Sequence, residues 1–418
     1  MKRKILVVGN GGREHAIAKK IYQSPLVETV YCAKGNPGML KDGIVLVDID
    51  ERNHEGLIDF AIDTGIDWVI VGPEKPLLDG LVDDFKQMGI PAFGPSKAAA
   101  KIEGSKDFAK ELMVANEIPT AEYRSFKDYE QALDYVTYHG FPIVIKADGL
   151  ASGKGVTIAH SMLEAKEALR AIFEENIFDE AEPKVVIEEF LEGKEFSLLA
   201  FVSEEGIYPM VAAKDHKPIY EGDKGPNTGG MGAYSPVPYV TDQLYKEVVT
   251  RVLEPTIDGM KRRGTPFTGI LYTGLILTES GPKVIEYNAR FGDPETQVLL
   301  SRLKTDLVEV IEGLLQNNPL NVEWLDEGYH LGVVLASQGY PGDFKSYIPL
   351  PRLPMTSDIQ VFYAGVTTQD ARLVSCGGRV LLVAGQGKTL AEAHKTVYGY
   401  LEGVQTQSFY YRRDIGIF

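Results

Sequence analysis

Between residues 4 and 94, short aliphatic runs alternate with polar, helical-period segments. Ile5–Val8, Val30–Ala33, Ile44–Val47, Trp68–Val71 and Pro91–Phe93 read as strands, and their apolar character on both faces predicts a parallel α/β layer. Gly94-Pro95-Ser96 ends this alternation. The polar, alanine-rich stretch Lys97–Lys106 reads as a linker, which places a boundary near residue 100 and an N-terminal unit at 1–100. Beyond it, Ser105 can cap a helix to about Asn116 and Asp128 another to Tyr138, while Ser161 with Glu164 makes a capping box for a third to about Phe178. Phe141–Ala147 and Lys184–Phe190 carry strand signals, and Gly149–Gly155 forms a glycine-rich turn into Val156–Ala159. A small α+β lobe over about 120–192 is therefore expected inside a central unit at 101–328, whose larger part starts at Glu195 and runs to about Asn318. A last unit, 329–418, mixes strands such as Leu331–Ala336 and Arg379–Ala384 with one helix, Leu390–Leu401. No internal repeat or low-complexity tract appears.

Bulk properties narrow the class. A chain of 418 residues can bury several cores, so a multidomain protein of mixed α/β and α+β character is expected. The formal net charge of −16 argues against a general nucleic-acid or anionic-membrane binder, although one cleft can still focus positive potential. Neither nucleic acid nor membrane is an expected partner. Cys32 and Cys376 lie far apart with no CxxC or Cys/His ligand spacing, which suggests neither a disulfide framework nor a structural zinc site. Met1-Lys2-Arg3-Lys4-Ile5 runs directly into an apolar strand, without a signal-length core, and no membrane-length run follows. A cytoplasmic location is the expectation.

The densest chemistry lies in Ile285-Glu286-Tyr287-Asn288-Ala289-Arg290-Phe291-Gly292-Asp293-Pro294-Glu295. Lys283–Asn288 has strand character, so Glu286 and Asn288 leave the same face roughly 7 Å apart and can reach one ion. A carboxylate and an amide oxygen suit Mg²⁺ when phosphates and water fill its other positions, and Arg290 adds a bidentate anion grip. Taken alone, the Glu and Asn also fit a solvated edge strand. Lys146-Ala147-Asp148-Gly149-Leu150-Ala151-Ser152-Gly153-Lys154-Gly155-Val156 resembles a Walker loop only superficially, because Gly155 stands where Ser or Thr is needed and a strand follows. Lys146 at a strand end and Lys154 in the hairpin can hold phosphates from two sides, while Gly153 and Gly155 let backbone N–H groups close over them. A plain solvated hairpin is the competing reading. Glu188-Glu189-Phe190-Leu191-Glu192-Gly193-Lys194-Glu195 looks like a nucleoside slot: backbone around Leu191 reads the base and Glu195 accepts the ribose hydroxyls. Glu188 and Glu189 face opposite sides of their strand, so only one enters the slot, and the Glu189 carboxylate is expected in solvent.

The first turn, Val8-Gly9-Asn10-Gly11-Gly12-Arg13-Glu14-His15, invites a dinucleotide reading. Its third fingerprint glycine falls at Glu14, however, and no acidic residue ends the second strand, which disfavours NAD. What survives is a glycine turn at a helix N-terminus beside Arg13, a cradle for a phosphate, or simply a tight βα turn. Gly72-Pro73-Glu74 ends another strand and would lie nearby on the same sheet edge.

In this order, the lysine-flanked glycine hairpin, the E-x-F-L-x-G-x-E hinge and the E-x-N-x-R strand resemble the ATP-grasp ligases. Within them, GNGGREH, KADGLASGKGV, the segment Asp215-His216-Lys217 to Pro236 with GPNTGGMGAYSP, and NARFGDPET look like the glycinamide ribonucleotide synthetases, also called phosphoribosylamine–glycine ligases. The resemblance spans nearly the whole chain. It implies an ATP-grasp fold and purine biosynthesis: ATP phosphorylates the glycine carboxylate, and the amine of 5-phosphoribosylamine attacks the glycyl phosphate. Lys106, Lys146 and Lys154 would then hold phosphates, Glu286 and Asn288 the Mg²⁺ or Mn²⁺, and Arg290 the carboxylate and migrating phosphoryl. Asp215 and Asp293 become candidates for the glycine ammonium, with Lys217 near its carboxylate or the phosphoryl group. Asn10, Gly11, Gly12, Arg13, Glu14, Gly72, Pro73 and Glu74 would face phosphoribosylamine. Gly225–Pro236 reads as a glycine-rich lid over the acyl phosphate. A transient contact with the enzyme that supplies phosphoribosylamine also belongs to this expectation. Many ATP-grasp members carry a further glutamate on the preceding strand, whereas Tyr272-Thr273-Gly274-Leu275 has no carboxylate, leaving the number of metal ions open.

Two rivals share part of this pattern. A purine-pathway or biotin carboxylase would use the same ATP residues, but GNGGREH and the GPNTGGMG segment speak against it. A non-catalytic ATP-binding regulator would need the nucleotide slot but not Arg290, Asp293 or the glycine-rich segment.

Overall fold

The computed structural model describes residues 2–150, 155–177 and 182–417. Its first sheet is built from β1 (Arg3–Gly9), β2 (Val27–Lys34), β3 (Val45–Val47), β4 (Trp68–Val71) and β5 (Ala92–Phe93), all parallel, in the order β3-β2-β1-β4-β5. Period two divides β1 between two cores: Ile5 and Val7 pack with one cluster, Leu6 and Val8 with the other. After β1 the chain moves outward to β2 and β3, then returns to the other side of β1 as β4. The strand ends of β1 and β4 therefore flank the switch point, where α/β sheets receive ligands.

The expected linker is helical instead. Lys97–Gly104 and Lys106–Ala115 are two helices broken only at Ser105. Ser96 Oγ accepts from Ala99 N, and Ala99, Ala100 and Ile102 are buried, so good helix formers with a cap and an apolar stripe override the polar composition.

The small lobe holds β6 (Tyr123–Phe126), β7 (Ile143–Ala147), β8 (Val156–Ala159) and β9 (Val185–Glu189) in an antiparallel sheet ordered β6-β9-β7-β8. Helices Tyr129–His139 and Met162–Phe173 supply Ala132, Val136, Ala165 and Leu169 to its core. Ser105, Asp128 and Ser161 cap as expected. Glu164 accepts from His160 N, one residue before the Ser161 cap, instead of closing the expected box on Ser161 N, and this helix ends at Phe173; Phe178 lies outside the described residues.

In the body, the chain continues as β10 (Lys194–Val202), β11 (Ile207–Pro209), β12 (Lys214–Asp215), β13 (Pro218–Tyr220), β14 (Lys224–Asn227), β15 (Gly232–Ser235), β16 (Gly269–Thr278) and β17 (Gly281–Asn288). It finishes with β18 (Tyr329–Ser337), β19 (Ile359–Tyr363), β20 (Val366–Gln369), β21 (Arg372–Ser375), β22 (Arg379–Gly387) and β23 (Phe409–Tyr410), with helix Leu390–Glu402 after β22. One antiparallel sheet runs β11-β10-β16-β17. Another runs β12-β15-β18-β22-β19, with β23 also on β18, so two strands of the central segment and the C-terminal strands form a single sheet.

That sheet overturns the expectation of a mobile lid at Gly225–Pro236. Gly232–Ser235 is the buried strand β15, hydrogen-bonded to β12 and β18, and Met231 is fully buried. Its glycines answer to packing: a Cβ on Gly232 would stand 2.6 Å from Gly332 O, and one on Gly230 (φ +110°) 2.4 Å from Pro294 Cδ. Only the β13–β14 hairpin projects, and Arg412 ties even that to the C-terminal segment through Pro218 O and Asp223. No helix among the described residues is long and apolar enough to cross a membrane.

Candidate active site

β17 places the two oxygen ligands, with a correction to simple alternation. Gly274 pairs with Glu286 and Leu275 with Val284, so Ile285 is an extra, bulged residue. The bulge resets the phase: Val284 and Tyr287 are buried, while Glu286 and Asn288 look into a cavity shared with Lys106, Lys146 and Arg290. It also turns Ile285 O toward Lys146 Nζ at 3.1 Å. Lys217 Nζ stands 2.9 Å from Glu286 Oε1, and its charge holds that carboxyl at about 2, against burial. Asn288 Oδ1 accepts from Arg290 Nη2 at 3.3 Å. One permanently ionised and one neutral hard-oxygen donor fit Mg²⁺. Among the described residues no cluster of three or more His, Cys, Asp or Glu could enclose an ion, so nucleotide phosphates and water would complete its shell. Gly274 carries no ligand because Glu286 uses its space: a Cβ there would sit 3.1 Å from Glu286 Cγ.

Opposite β17 stands a wall of lysines. Lys146 on β7 lies 2.8 Å from Glu188 Oε1, and Glu188 Oε2 lies 3.1 Å from Lys110. Lys110 donates further to Thr120 Oγ1 (2.8 Å) and Ala121 O (3.2 Å), and burial, opposed by the Glu188 charge, pushes its ammonium down to about 8. Lys106 Nζ donates to Gly149 O at 2.9 Å, and burial lowers its pKa too. Asp148 accepts from Lys106 N at 2.6 Å, which ties the glycine-rich loop to a helix start. Gly155 lines the cavity; Gly153 and Lys154 lie outside the described residues. Glu188 and Glu189 do face opposite sides, but the Glu189 carboxylate is not free in solvent. It pairs with Lys283 at 2.9 Å and accepts from Glu122 N at 3.1 Å. Phe190 and Leu191 are half-buried beyond β9, and Glu195 is exposed near the start of β10.

At the switch point the first turn differs from a free anion cradle. Gly11 N donates to Glu14 Oε2 at 2.7 Å, and Arg13 Nε lies 2.5 Å from Glu14 Oε1. A Cβ on Gly9 or Gly72 would stand 2.5 Å or 2.2 Å from the Glu14 side chain, so these glycines make room for a carboxylate. Asn10 is exposed, Gly12 starts the helix Gly12–Tyr22, and Pro73 precedes Glu74 at the next helix start. Glu74 reaches across to Arg290 Nε (3.4 Å) and Arg13 Nη1 (4.0 Å); burial raises its carboxyl, but these guanidiniums outweigh burial and hold it at about 2. Arg290 also pairs with Glu103 at 3.0 Å, and Glu103 accepts from Ala289 N at 2.7 Å.

β12 and the turn after β17 complete the ring. Asp215 ends β12, which pairs with β15, and Lys217 follows two residues later. Asp293 Oδ2 lies 3.2 Å from Arg379 Nη2, and its Oδ1 accepts from Gln297 Nε2 at 2.8 Å. Arg379 Nη1 also donates to Gly229 O (2.6 Å) and Asp293 O (2.9 Å), a grip supplied by the C-terminal segment. Glu295, 2 % exposed, accepts from the Tyr272 hydroxyl at 2.8 Å; burial and the Asp215 charge push its carboxyl up to about 7. The structure thus gathers Lys106, Lys146, Glu286, Asn288, Arg290 and Glu74 around one cavity, with Arg13 reaching its edge 4.0 Å from Glu74. Sequence reasoning missed Lys110, Glu103, Glu295 and Arg379. Only Lys110 left a local trace, one turn after Lys106 on the same helix face.

Comparison with known proteins fits this geometry. The phosphoribosylglycinamide synthetase family matches over its N domain at residues 3–103, its ATP-grasp (A) domain at 104–296 and its C domain at 330–417. The phosphoribosylamine–glycine ligase of Listeria innocua is 53 % identical over 414 residues, 99 % of each chain, and that of Lactococcus lactis 51 % over the same length and coverage. The crystal structure of phosphoribosylamine–glycine ligase from Thermotoga maritima matches with a TM-score of 0.85 at 33 % identity, covering 99 % of this chain and 100 % of that one. A biotin carboxylase domain from Hydrogenobacter thermophilus, in complex with MgADP and bicarbonate, has the same fold at a TM-score of 0.76 and 16 % identity, covering 98 % and 92 %. With three family domains matched in order along nearly its whole length, the chain belongs to the phosphoribosylglycinamide synthetase family of ATP-grasp C–N ligases.

Proposed function

We propose that this chain joins glycine to 5-phosphoribosylamine in an ATP-dependent reaction of purine biosynthesis, giving glycinamide ribonucleotide, ADP and phosphate. The observation that carries the reading is the single cleft in which Glu286 and Asn288 face Lys106, Lys146 and Arg290, opening on the switch point of the first sheet. A carboxylate acylates poorly at neutral pH, so the work is activation and positioning, and no nucleophilic side chain is required. A glycine carboxylate oxygen attacks the γ-phosphorus, its P–O bond to ADP breaks, and glycyl phosphate forms. The phosphoribosylamine nitrogen then attacks the acyl carbon, loses a proton, and the carbon–oxygen bond to phosphate breaks.

Lys106, Lys146 and Lys154 bind the phosphates together with the backbone of Gly153 and Gly155, and Glu188 sets the position of Lys146. Backbone at Glu189, Phe190 and Leu191 reads the base, while Glu195 takes the ribose. Arg290 and Lys217 neutralise the carboxylate and the migrating phosphoryl. Glu286 and Asn288 would hold Mg²⁺ or Mn²⁺, which supplies charge neutralisation at the phosphates when bound. Asn10, Gly11, Gly12, Arg13, Glu14, Gly72, Pro73 and Glu74 face phosphoribosylamine. With Gly11 N–H taken by Glu14, this edge offers carboxylates and carbonyls that suit the sugar hydroxyls and amine better than the phosphate. Asp215 and Asp293 stand at the glycine end. In this reading units 1–100, 101–328 and 329–418 hold the sugar, the nucleotide and the closing wall; the protein works in the cytoplasm and takes its unstable amine in transient contact with the enzyme that makes it.

ADP release measured with and without glycine and freshly generated phosphoribosylamine tests the proposal. Release that depends on both supports it; release indifferent to either overturns it. Oxygen label from the glycine carboxylate must also appear in the released phosphate, and its absence excludes the acyl phosphate.

A further inference from the structure

His15 ends the GNGGREH turn but faces none of the substrates in the ligase reading above. It is fully buried on the first turn of the helix Gly12–Tyr22, with its backbone N–H on Gly11 O at 3.0 Å. Its ring meets the C-terminal unit. β19 is the edge strand of its sheet, and a bare edge leaves N–H and C=O groups unpaired. Tyr363, the last residue of β19, has both groups taken by the N-terminal unit. Its N–H donates to His15 Nδ1 at 2.8 Å, and its carbonyl accepts from Asn36 Nδ2 at 3.0 Å. The same Asn36 amide donates to Asn10 O at 2.8 Å, so one buried side chain bridges the sugar-facing turn and the C-terminal strand. Packing runs along the same line. The Tyr363 ring stacks on His15 with centroids 5.9 Å apart and an interplanar angle of 22°, and its hydroxyl accepts from Lys41 Nζ at 2.7 Å. A Cβ on Gly12 would stand 3.6 Å from Ala364 Cβ, so the turn itself lies against the residue after β19.

This geometry fixes the tautomer. An imidazole nitrogen that accepts from a backbone N–H carries no proton, so the hydrogen sits on Nε2, which donates to Asp42 Oδ2 at 2.9 Å. Burial holds the ring below its ordinary pKa; Asp42 opposes this, and Lys19, itself 2.9 Å from Asp42, supports it. We infer that His15, as the neutral Nε2–H tautomer, is a positioning residue: with Asn36 it docks β19 onto the turn Asn10–Glu14, so that this edge takes its working shape only with the C-terminal unit in place. The inference rests on the ligase reading and adds to it that the two ends of the chain build the phosphoribosylamine side together. Loss of the His15 contact loosens the turn. The ATP side is spared, because Lys106 and Lys146 stand on other elements.

Steady-state amide formation by full-length His15→Phe and His15→Asn enzymes, with KM measured for each of the three substrates, tests this. Phe keeps a ring against Tyr363 but gives its N–H no acceptor, whereas Asn restores an acceptor at the δ position and gives up only the donor to Asp42. The expected result for His15→Phe is a phosphoribosylamine KM raised on the order of tenfold, with kcat and the KM for ATP and glycine within about threefold of wild type. His15→Asn should bring the phosphoribosylamine KM back to within about threefold of wild type. Simple loss of stability produces no such split. An unmoved phosphoribosylamine KM in His15→Phe, an equal rise for all three substrates, or an Asn variant as impaired as Phe overturns the inference. If His15→Phe does not fold, Asn36→Asp keeps the Oδ1 that caps Gly38 N and replaces the bridging donor with an oxygen. A selective rise of about tenfold in phosphoribosylamine KM then supports the docking role, and no rise overturns it. Wild-type protein whose ADP release ignores phosphoribosylamine would sink the ligase reading itself; active wild type with unmoved variants sinks only the role of His15.

Discussion

Lys110 offers the sharpest test of the lysine wall, because its effect differs in sign from that of its partner. Lys110, Lys146 and Glu188 form a buried group of two cations and one anion, with contacts of 3.1 and 2.8 Å through Glu188. Lys110→Met leaves Lys146 and Glu188 paired one to one and removes the surplus positive charge behind the cavity. At about 8 Å and an effective dielectric of about 20, one charge acts on one phosphate charge by roughly 2 kcal/mol, or about thirtyfold in Kd. Glu188→Gln instead removes the anion; even if the crowded lysines then shed a proton, the surplus stays, and ATP should bind at least as tightly as to wild type. Titration calorimetry with ATP at low and moderate salt measures both variants. Lys110→Met also strands Thr120 and Ala121, so a melting curve must show that it is folded. Wild-type ATP affinity in folded Lys110→Met, or equal weakening in both variants, would refute the charge argument.

Glu286→Gln and Asn288→Ala should each lower turnover by about 100-fold or more at saturating Mg²⁺ with melting temperatures near wild type; near-normal rates for both would remove the metal assignment. Gly232→Ala should lower the urea-unfolding free energy by about 1–3 kcal/mol, since its Cβ would meet Gly332 O, whereas Lys224→Ala in the exposed hairpin should leave it unchanged. Burial holds the His330 imidazole at about 4, below its ordinary 6.5, so the unfolded chain binds the proton first on acidification. Stability should therefore fall as pH drops below about 6.5, by roughly 2 kcal/mol at pH 5 from this residue, and His330→Gln should show a shallower urea-midpoint decline between pH 7 and 5.

Where structure follows from adjacent residues, the sequence was readable. The aliphatic runs of the first sheet, the caps at Ser105, Asp128 and Ser161, and the shared face of Glu286 and Asn288 all depend on short-range periodicity or hydrogen bonding. Composition misled where tertiary context decides. Lys97–Gly104 looked like linker because it is polar, yet alanine favours helix and its stripe is buried. Gly225–Pro236 looked mobile because it is glycine-rich, yet Gly230 and Gly232 are small because Pro294 and Gly332 press against them. For the site, residue type and spacing exposed the ligands that chemistry demands, but not those whose role comes from a distant partner. Glu103 matters through Arg290, Arg379 through Asp293, and Glu295 through Tyr272, contacts that no spacing in the chain encodes.

The sheet that joins β15 to β18 crosses the interval between the second and third family domains, and this bears on how the protein can be cut. Chains ending before residue 329 would bare the hydrogen-bonding edge of β15, and a separate 329–418 chain would bare β18, each a template for indiscriminate pairing. Expressed alone, either piece should be a poor candidate for solubility; expressed together, the two edges are each other's best match. Of the possible cuts, a break in the exposed loop after Asn318 is thus a natural place for a split reporter, in which ligase activity returns only when the two halves meet.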